Sequence, residues 1–228
     1  MFKGNLNLYM KDKEITKRKL IQAVGEIIKS EGFGSLKIST VAKKAQVDRK
    51  LIYRYFGGLN YLIESYVVEN DYWMLFANKM NEMITEQSFA GSKQLITAVL
   101  QNQFKYFISE KDMQRLILWE LSTESPLMKS IHNVRESMGQ KFLELSDPHF
   151  KGSAVNFRAI AALLVGGIYY TILHTMFNGG KFTDMDLNSE TGQIEILKAI
   201  EQIISWAYKE AWLTTMNFSL ACFRHYVT

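Results

Sequence analysis

Apolar residues recur at helical spacing along most of the chain, and no stretch alternates apolar and polar residues long enough to predict a sheet. Only two prolines, Pro126 and Pro148, interrupt the pattern, so the predicted class is all-α. The longer predicted helices span about 15–31, 59–84, 95–107, 153–177 and 190–211, and a short helix is predicted over about 112–121. A further helix is predicted to start at Ser125-Pro126 and to end where Asp147-Pro148 turns the chain.

The stretch from Lys37 to Phe56, KISTVAKKAQVDRKLIYRYF, is typical of two short helices with a tight turn between them. In the first helix the apolar positions follow the i, i+3, i+4, i+7 spacing, and they are Ile38, Val41, Ala42 and Ala45. Gln46 and Val47 form the predicted turn, and Asp48 is expected to cap the second helix. That helix is predicted to bury Leu51 or Ile52 and Phe56 while its basic and aromatic residues project outward: Arg49, Lys50, Tyr53 and Arg54. Such a pair suits a helix-turn-helix that enters a major groove.

From Ile15 to about Val67 the chain resembles the N-terminal domain of TetR-like (tetracycline-repressor family) transcriptional regulators. The residues that carry the resemblance are LIQAVGEIIKSEGFGSLKISTVAKKAQVDRKLIYRYF followed by LNYLIESYV. It implies an N-terminal three-helix helix-turn-helix domain joined to a larger C-terminal helical bundle that forms the dimer interface. We accordingly expect an N-terminal arm and DNA-binding domain over 1–58, a ligand-binding and dimerisation bundle over 59–211, and a C-terminal tail over 212–228.

Three positions depart from the family pattern. The turn glycine is Gln46, so the turn must adopt left-handed geometry without glycine's freedom or open slightly. Lys37 stands where a capping threonine or serine is usual, and it cannot accept a capping bond. The lysine that usually follows the aromatic ending is replaced within Gly57-Gly58-Leu59, which removes one expected phosphate contact.

The predicted helix from Leu59 to Ile84 is expected to be continuous, with its start in the DNA-binding domain and its end in the bundle. A rigid helix shared in this way would act as a lever between the two domains. For the tail beyond Trp212, the apolar spacing permits one extra helix over the dimer edge and does not decide the point.

Positive charge concentrates at the N-terminal end of the chain. Residues 1–35 carry seven Lys or Arg against four Asp or Glu, and residues 36–56 carry six against one. Since the whole chain is +4, the net +8 of these residues leaves −4 for the rest. Phosphate neutralisation requires positive charge at a DNA-reading region, although lysines also decorate ordinary exposed helix faces.

The resemblance assigns roles around the helix-turn-helix. Arg49 and Lys50, near the start of the reading helix, are expected to reach base edges. Tyr53 and Arg54 are expected to bind phosphates, and Ser39, Thr40 and Lys44 are expected to add phosphate contacts that set the register. Packing in the core is the alternative role for Tyr53 and Tyr55. The partner implied is double-stranded DNA, bound at a palindromic operator by a homodimer.

The helices predicted over 153–177 and 190–211 are more apolar than one subunit can bury, and Ala162 and Gly166 allow another helix to approach closely. In the family the corresponding helices form a dimeric four-helix bundle; the alternative is that both are core helices of a monomer. The resemblance also implies a pocket for an unidentified small apolar or aromatic effector. Its candidate lining residues are Phe104, Phe107, Trp119, Tyr169, Tyr170 and His174; the alternative is that each is ordinary core.

No enzyme is predicted, and neither a cofactor nor a metal is expected. The histidines are scattered, without the paired spacing of a zinc site, and no glycine-rich loop follows a strand. The single cysteine, Cys222, and an N-terminus without an apolar signal segment predict a cytoplasmic protein. The apolar run from Ala159 to Leu173 is interpreted as a buried helix, with no membrane partner, because it is short for a membrane span.

The predicted function is a transcriptional regulator, most often a repressor in this family, that an effector releases from DNA. One alternative is a ligand-sensing or protein-interaction module on the same scaffold without operator binding. The other is a DNA-binding regulator that a protein partner controls in place of a small molecule.

Overall fold

The computed structural model describes residues 2–73, 75, 91–122, 124 and 126–225. Within these residues the chain is all-α, as predicted, with one isolated antiparallel bridge between Phe182 and Met185. Helices α1 to α9 span, in order, Phe2–Glu31, Ile38–Ala45, Lys50–Phe56, Leu59–Asn70, Ser92–Ser109, Lys111–Ser122, Pro126–Phe150, Phe157–Asn178 and Glu190–His225. A 3-10 turn at Phe33–Ser35 follows α1.

The described residues fall into two compact units. The head unit lies within Met1–Phe76 and Glu110–Asn133, and the bundle unit lies within Ala77–Ser109 and Val134–Thr228. By packing, α4 and α6 therefore belong with the N-terminal helices. The functional division expected at residue 58 remains a prediction.

The core of the head unit is built from one apolar stripe on each helix. Buried residues on α1 are Leu20, Ala23, Val24, Ile27 and Ile28; on α2 to α4 they are Val41, Ala42, Ala45, Ile52, Leu62, Ile63, Tyr66 and Val67. Each large aliphatic side chain buried in this way stabilises the fold by roughly 1.5–3 kcal/mol. Because α1 packs against α2, α3 and α4, it fixes where these helices lie.

Helix α6 bonds to the C-terminal end of α1 through polar groups. Arg115 Nη1 donates to the carbonyl oxygen of Lys29 at 2.6 Å, so a cation satisfies a helix C-terminus. Asp112 Oδ2 accepts from the hydroxyl of Tyr66 at 3.1 Å and pairs with Lys29 Nζ at 3.2 Å. Trp119 stacks on Phe33, with ring centroids 4.8 Å apart. The end of α1 is thus held by side chains from α4 and α6.

The first helix begins earlier than the sequence predicted. Apolar spacing placed its start near Ile15, whereas α1 is helical from Phe2. The prediction was wrong because it followed buried apolar spacing, and residues 12–19 are helical without any buried side chain. Residues 2–14 of the expected arm are therefore helix.

The predicted continuous helix from Leu59 to Ile84 is also wrong in its first part. Helix α4 ends at Asn70, and Asp71 has extended dihedral angles of φ −76° and ψ 132°. The Asp71 carboxylate accepts from the backbone N–H of Trp73 at 3.0 Å, in the manner of an N-cap that starts a new turn. Positions 76–84 lie outside the described residues. The break at Asp71 removes the single rigid lever that the sequence suggested.

The bundle unit is organised around α5. Its buried face carries the predicted stripe: Leu95, Ile96, Val99, Leu100, Gln103, Phe104 and Phe107. Helices α8 and α9 both pack against α5, and Gln101 Nε2 donates to the carbonyl oxygen of Leu197 on α9 at 2.9 Å. The Tyr208 hydroxyl lies 2.9 Å from Ser92 Oγ, and burial raises its pKa above the ordinary value.

Helix α7 begins at Pro126, as predicted, but it does not turn at Asp147-Pro148. It continues through Pro148 to Phe150. Contacts on either side offset the hydrogen bond that proline cannot make. The guanidinium of Arg158 donates to both oxygens of Asp147, at 3.2 and 2.6 Å, and the ring of Phe150 stacks on Phe157 with centroids 4.5 Å apart.

Helix α8 begins at Phe157, four residues later than predicted, where the side chain of Asn156 accepts from the N–H of Ala159 at 3.1 Å. Its interpretation as a buried helix is wrong for the single chain, since Leu163 is 78% exposed and Tyr170 is 58% exposed. Among the described helices, α8 alone is long and apolar enough to span a membrane by length and composition, with 22% of its most apolar window buried. Helix α9 runs unbroken from Glu190 to His225, so described residues of the predicted tail continue it.

Candidate nucleic-acid interface

Helices α2 and α3 form the predicted helix-turn-helix. Gln46 closes α2 in the left-handed conformation, at φ 56° and ψ 44°, so the turn keeps its geometry without glycine. A side chain in this region costs roughly 1–2 kcal/mol. Asp48 Oδ1 accepts from the backbone N–H of Lys50 at 2.8 Å and so caps the start of α3, as predicted.

One face of α3 anchors the helix and the other is solvent-exposed. Ile52 is fully buried, while Leu51 and Phe56 are half-buried. The four outward residues predicted to meet DNA are all exposed: Arg49, Lys50, Tyr53 and Arg54. Tyr53 is 55% exposed, which excludes the core role for its ring; Tyr55 is half-buried. The exposed face thus offers three cations and one phenol, on α3 and on Arg49, which directly precedes it.

The preceding helix presents the other predicted phosphate contacts. Ser39 is exposed and Thr40 is half-buried at the start of α2. Lys37 makes no side-chain capping bond, so the first N–H groups of α2 lack a side-chain cap. Such N–H groups at a helix start are ready partners for an anion such as phosphate.

The ammonium of Lys44 is already engaged within the chain. Its Nζ lies 3.4 Å from Glu26 Oε2 on α1, and both side chains are 45% exposed. A phosphate contact by Lys44 therefore requires the ammonium to leave or to share this carboxylate. The pair joins residues 18 positions apart, and no local spacing in the sequence pointed to it.

The residues predicted to line an effector pocket fall in both compact units. Phe104 and Phe107 are buried on α5, and the Phe107 ring meets Tyr169 of α8 edge-on with centroids 4.8 Å apart. Tyr170 and His174 lie beside Phe182, at centroid distances of 5.2 and 5.0 Å. Trp119 lies in the head unit, where it stacks on Phe33. Contacts within the bundle unit thus bring together Phe107 with Tyr169 and, separately, Tyr170 with His174.

Two polar groups among these apolar residues lack hydrogen-bond partners. Gln103 on α5 is 1% exposed, and neither atom of its carboxamide has a partner in the described part of the chain. The Nδ1 atom of His174 is likewise buried without a partner there. The sequence treated Gln103 only as a member of the apolar stripe, and its polarity at a core position was the signal available.

An open groove of about 670 Å³ lies elsewhere in the bundle unit, at the corner between α7 and α8. Phe150, Phe157, Asp147 and Arg158 are among its lining residues, and none of the six predicted pocket residues is. Over the described ranges, no group of three or more His, Cys, Asp or Glu side chains is arranged to hold a metal ion.

No family model matches the chain. Two curated relatives are the HTH-type transcriptional regulators BetI of Vibrio campbellii and Vibrio atlanticus, 26% identical over 125 and 128 residues. In each case the match covers 54% of this chain, and it spans 62% of the length of the curated relative.

Solved structures match over more of the molecule. FadR of Bacillus subtilis in complex with stearoyl-CoA is 18% identical with a TM-score of 0.62, covering 82% of this chain and 96% of that one. A TetR family transcription regulator from Marinobacter aquaeolei is 12% identical with a TM-score of 0.56, covering 88% and 97%. FadR of Thermus thermophilus in complex with lauroyl-CoA is 14% identical with a TM-score of 0.53, covering 82% and 92%.

The chain has the TetR-like fold. At these identities the structural likeness establishes the fold alone, and it confirms the fold class and the resemblance drawn from Ile15 to Val67. In this TetR-like fold α2 and α3 are the helix-turn-helix, and the exposed face of α3 is the candidate interface with nucleic acid.

Proposed function

We propose that this TetR-like chain is a DNA-binding transcriptional regulator, most often a repressor in its family, that acts by binding and not by catalysis. The observation that carries the proposal is the exposed face of α3, where Arg49, Lys50 and Arg54 project from a helix anchored by buried Ile52. Arginine or lysine on the O6 and N7 atoms of guanine is the commonest specific contact in a major groove. The curated relatives are HTH-type transcriptional regulators, which supports the same role and a cytoplasmic location.

The proposed functional form is a homodimer on a palindromic operator. Support comes from apolar side chains of α8 and α9 that are exposed in the single chain, among them Leu163, Tyr170, Trp206 and Trp212. Exposed apolar patches of this kind mark protein interfaces. Ala162 and Gly166, both exposed on α8, let a second helix approach closely. A dimer would place two α3 helices on half-sites about 34–36 Å apart.

The proposed effector is a compound with a long apolar acyl chain. Two structural neighbours were solved with stearoyl-CoA and lauroyl-CoA. In this chain the candidate pocket residues Phe104, Phe107 and Tyr169 supply an apolar and aromatic setting of the kind that holds such ligands. Release of DNA then requires the effector to bind the non-binding arrangement more tightly than the DNA-binding one.

A selection from a random duplex pool tests operator binding. We expect the wild-type protein to enrich a palindrome and the Arg49→Ala variant to lose about 1–3 kcal/mol of discrimination at one position of each half-site. Arg54→Ala should weaken binding by a similar factor on all sequences, because phosphate contacts carry no base information. Lys105→Ala, which removes an exposed cation of the bundle unit, is the matched control and should bind as the wild type does.

If the wild-type protein shows only sequence-independent binding with a steep salt dependence, operator recognition is wrong. The chain would then be a ligand-sensing or interaction module on this scaffold. The effector is tested by adding lauroyl-CoA to the complex with the selected duplex, with free coenzyme A as the control. Release by the acyl compound alone supports the proposal, and equal release by both compounds contradicts the acyl-chain assignment.

A further inference from the structure

The first part of α1 is rich in cations. Between residues 3 and 19 the helix carries two acidic residues, Asp12 and Glu14, and six basic ones: Lys3, Lys11, Lys13, Lys17, Arg18 and Lys19. From Asp12 to Lys19 no side chain is buried, whereas Leu20 is fully buried. Residues 12–19 therefore contribute little to core packing. We call residues 3–19 the basic extension.

The basic extension passes beside the recognition helix. Lys13 lies seven residues before Leu20, on the same stripe of α1 that packs onto the head unit. Its Nζ is 5.9 Å from the ring centroid of Tyr55 on α3. The guanidinium carbon of Arg54 is also 5.9 Å from that centroid. Cations within about 6 Å of an aromatic ring are attracted to its face, so one ring holds a cation from each helix.

The ammonium of Lys13 can take a phosphate as its anionic partner. Lys13 forms no ion pair within the described residues, although Lys17 pairs with Glu14 at 3.3 Å. Tyr55 lies six residues beyond Arg49, roughly 9 Å along α3 at 1.5 Å per residue. A DNA strand carries a phosphate about every 3.4 Å along its axis. A distance of roughly 9 Å therefore corresponds to two or three phosphates, so Lys13 beside Tyr55 is placed to meet a phosphate that flanks the bases read near Arg49.

We propose that the basic extension of α1 is a second DNA-contacting element, in which Lys13, held by the ring of Tyr55, binds a backbone phosphate that flanks the bases read by α3. The proposal rests on the proposed function, since it needs the helix-turn-helix to bind DNA. It adds a contact from outside the helix-turn-helix, by a residue, Lys13, to which the sequence analysis gave no individual role.

The test measures the salt dependence of binding to the duplex that the wild-type protein selects. Neutralising one phosphate contact changes the slope of log K against log salt by about 0.9. A homodimer loses two such contacts, one for each subunit, so we expect the Lys13→Gln variant to show a slope lower by about 1.8, with affinity reduced equally on all half-site sequences. Lys13→Arg should keep the wild-type slope, and the charge control Lys105→Gln in the bundle unit should not change it.

A second readout locates the phosphate. Ethylation of one flanking phosphate should weaken binding of the wild-type protein and have no effect on Lys13→Gln. The role of the ring is tested with Tyr55→Phe, which keeps it, and Tyr55→Leu, which removes it; only the leucine variant should lower the slope. Equal slopes for Phe and Leu variants would overturn the holding role of the ring.

The outcomes separate this inference from the proposed function. If the wild-type protein selects a palindrome but Lys13→Gln has the same salt slope and the same ethylation pattern, the basic extension makes no contact and the inference is overturned alone. If the wild-type protein selects no sequence, the proposed function fails and the inference fails with it. Thermal unfolding of each variant verifies that an exposed substitution has left the fold intact.

Discussion

Gln103 places a complete carboxamide in an apolar setting. Its neighbours on the buried face of α5 are Leu100, Phe104 and Phe107, and both polar atoms of the amide lack partners in the described part of the chain. A buried polar group without a partner destabilises the folded state by about 1–3 kcal/mol. Gln101, two residues earlier, has the opposite situation because its amide donates to the carbonyl oxygen of Leu197.

Substitution of these two glutamines should have opposite effects. We expect Gln103→Leu to raise the free energy of unfolding by about 1 kcal/mol, since leucine occupies a similar volume without an unpaired amide. Gln101→Leu should lower it by a similar amount, because the hydrogen bond to α9 is lost. Urea unfolding of both variants measures the difference. A lower stability for Gln103→Leu would mean that the amide has a partner in solution.

Local spacing predicted the direction of the side chains on α2 and α3 well. The capping role of Asp48 and the outward set on α3 follow from residue types within one helical turn, and the structure confirms both. Two contacts join residues far apart in sequence: the ion pair between Lys44 and Glu26, and the stacking of the Trp119 ring on the Phe33 ring. Such contacts depend on how helices pack, which a single sequence does not encode in any local pattern.

At the scale of helices, Gly25 marks a close approach of α1 and α4. A Cβ atom at this position would lie 2.7 Å from Cε2 of Tyr66. The ring has little freedom to move, because the Tyr66 hydroxyl donates to Asp112 on α6. The absence of a side chain at Gly25 thus sets the distance between three helices of the head unit.

Alanine substitution should therefore separate two glycines that both lie in helices. At Gly25 we expect a net loss of stability, because overpacking costs about 1–3 kcal/mol and the gain in helix propensity is only about 1 kcal/mol. At Gly139 on α7 an added Cβ meets nothing within 4 Å. Alanine there should therefore raise the stability by the gain in helix propensity alone, about 1 kcal/mol. Thermal unfolding of Gly25→Ala and Gly139→Ala tests this, and a stabilised Gly25→Ala would contradict the packing argument.

The sequence predicted which helices exist better than where they end. The buried stripe of α5 agrees with the predicted one because its seven positions repeat at helical spacing without interruption. The errors at Asp71 and Pro148 arose where a single residue competes with its surroundings. At Asp71 a local capping bond ends a helix that the apolar pattern would continue, and at Pro148 tertiary contacts continue a helix that proline would end.

On the scale of the whole molecule, α8 has more apolar surface than its own chain covers. Leu163, Tyr170 and Phe177 are each more than half exposed, and α9 adds Trp206 and Trp212. The sequence analysis predicted that this helix pair exceeds what one subunit buries. A second copy of the chain is the occupant that the proposed function requires.

A charge on this surface should prevent dimer formation. We expect Leu163→Glu to shift the protein from twice the chain mass of 26.3 kDa to the single mass, because a carboxylate cannot be buried there without a partner. Leu121→Glu is the matched control, since Leu121 is 74% exposed in the head unit, and it should leave the mass doubled. Light scattering after size exclusion gives both masses. A doubled mass for Leu163→Glu would exclude this face from the interface.

The ion pair between Lys44 and Glu26 has a kinetic consequence if the protein searches DNA for an operator. The Glu26 carboxylate pairs with the Lys44 ammonium as a phosphate would. A phosphate that binds Lys44 must therefore first replace this carboxylate. An exposed ion pair stabilises the free protein by about 0–1 kcal/mol. Breaking it weakens the free energy of binding to any DNA sequence by that amount. Dwell times on wrong sites shorten by up to roughly fivefold. An acidic residue on α1 would in this way speed the scanning of a genome.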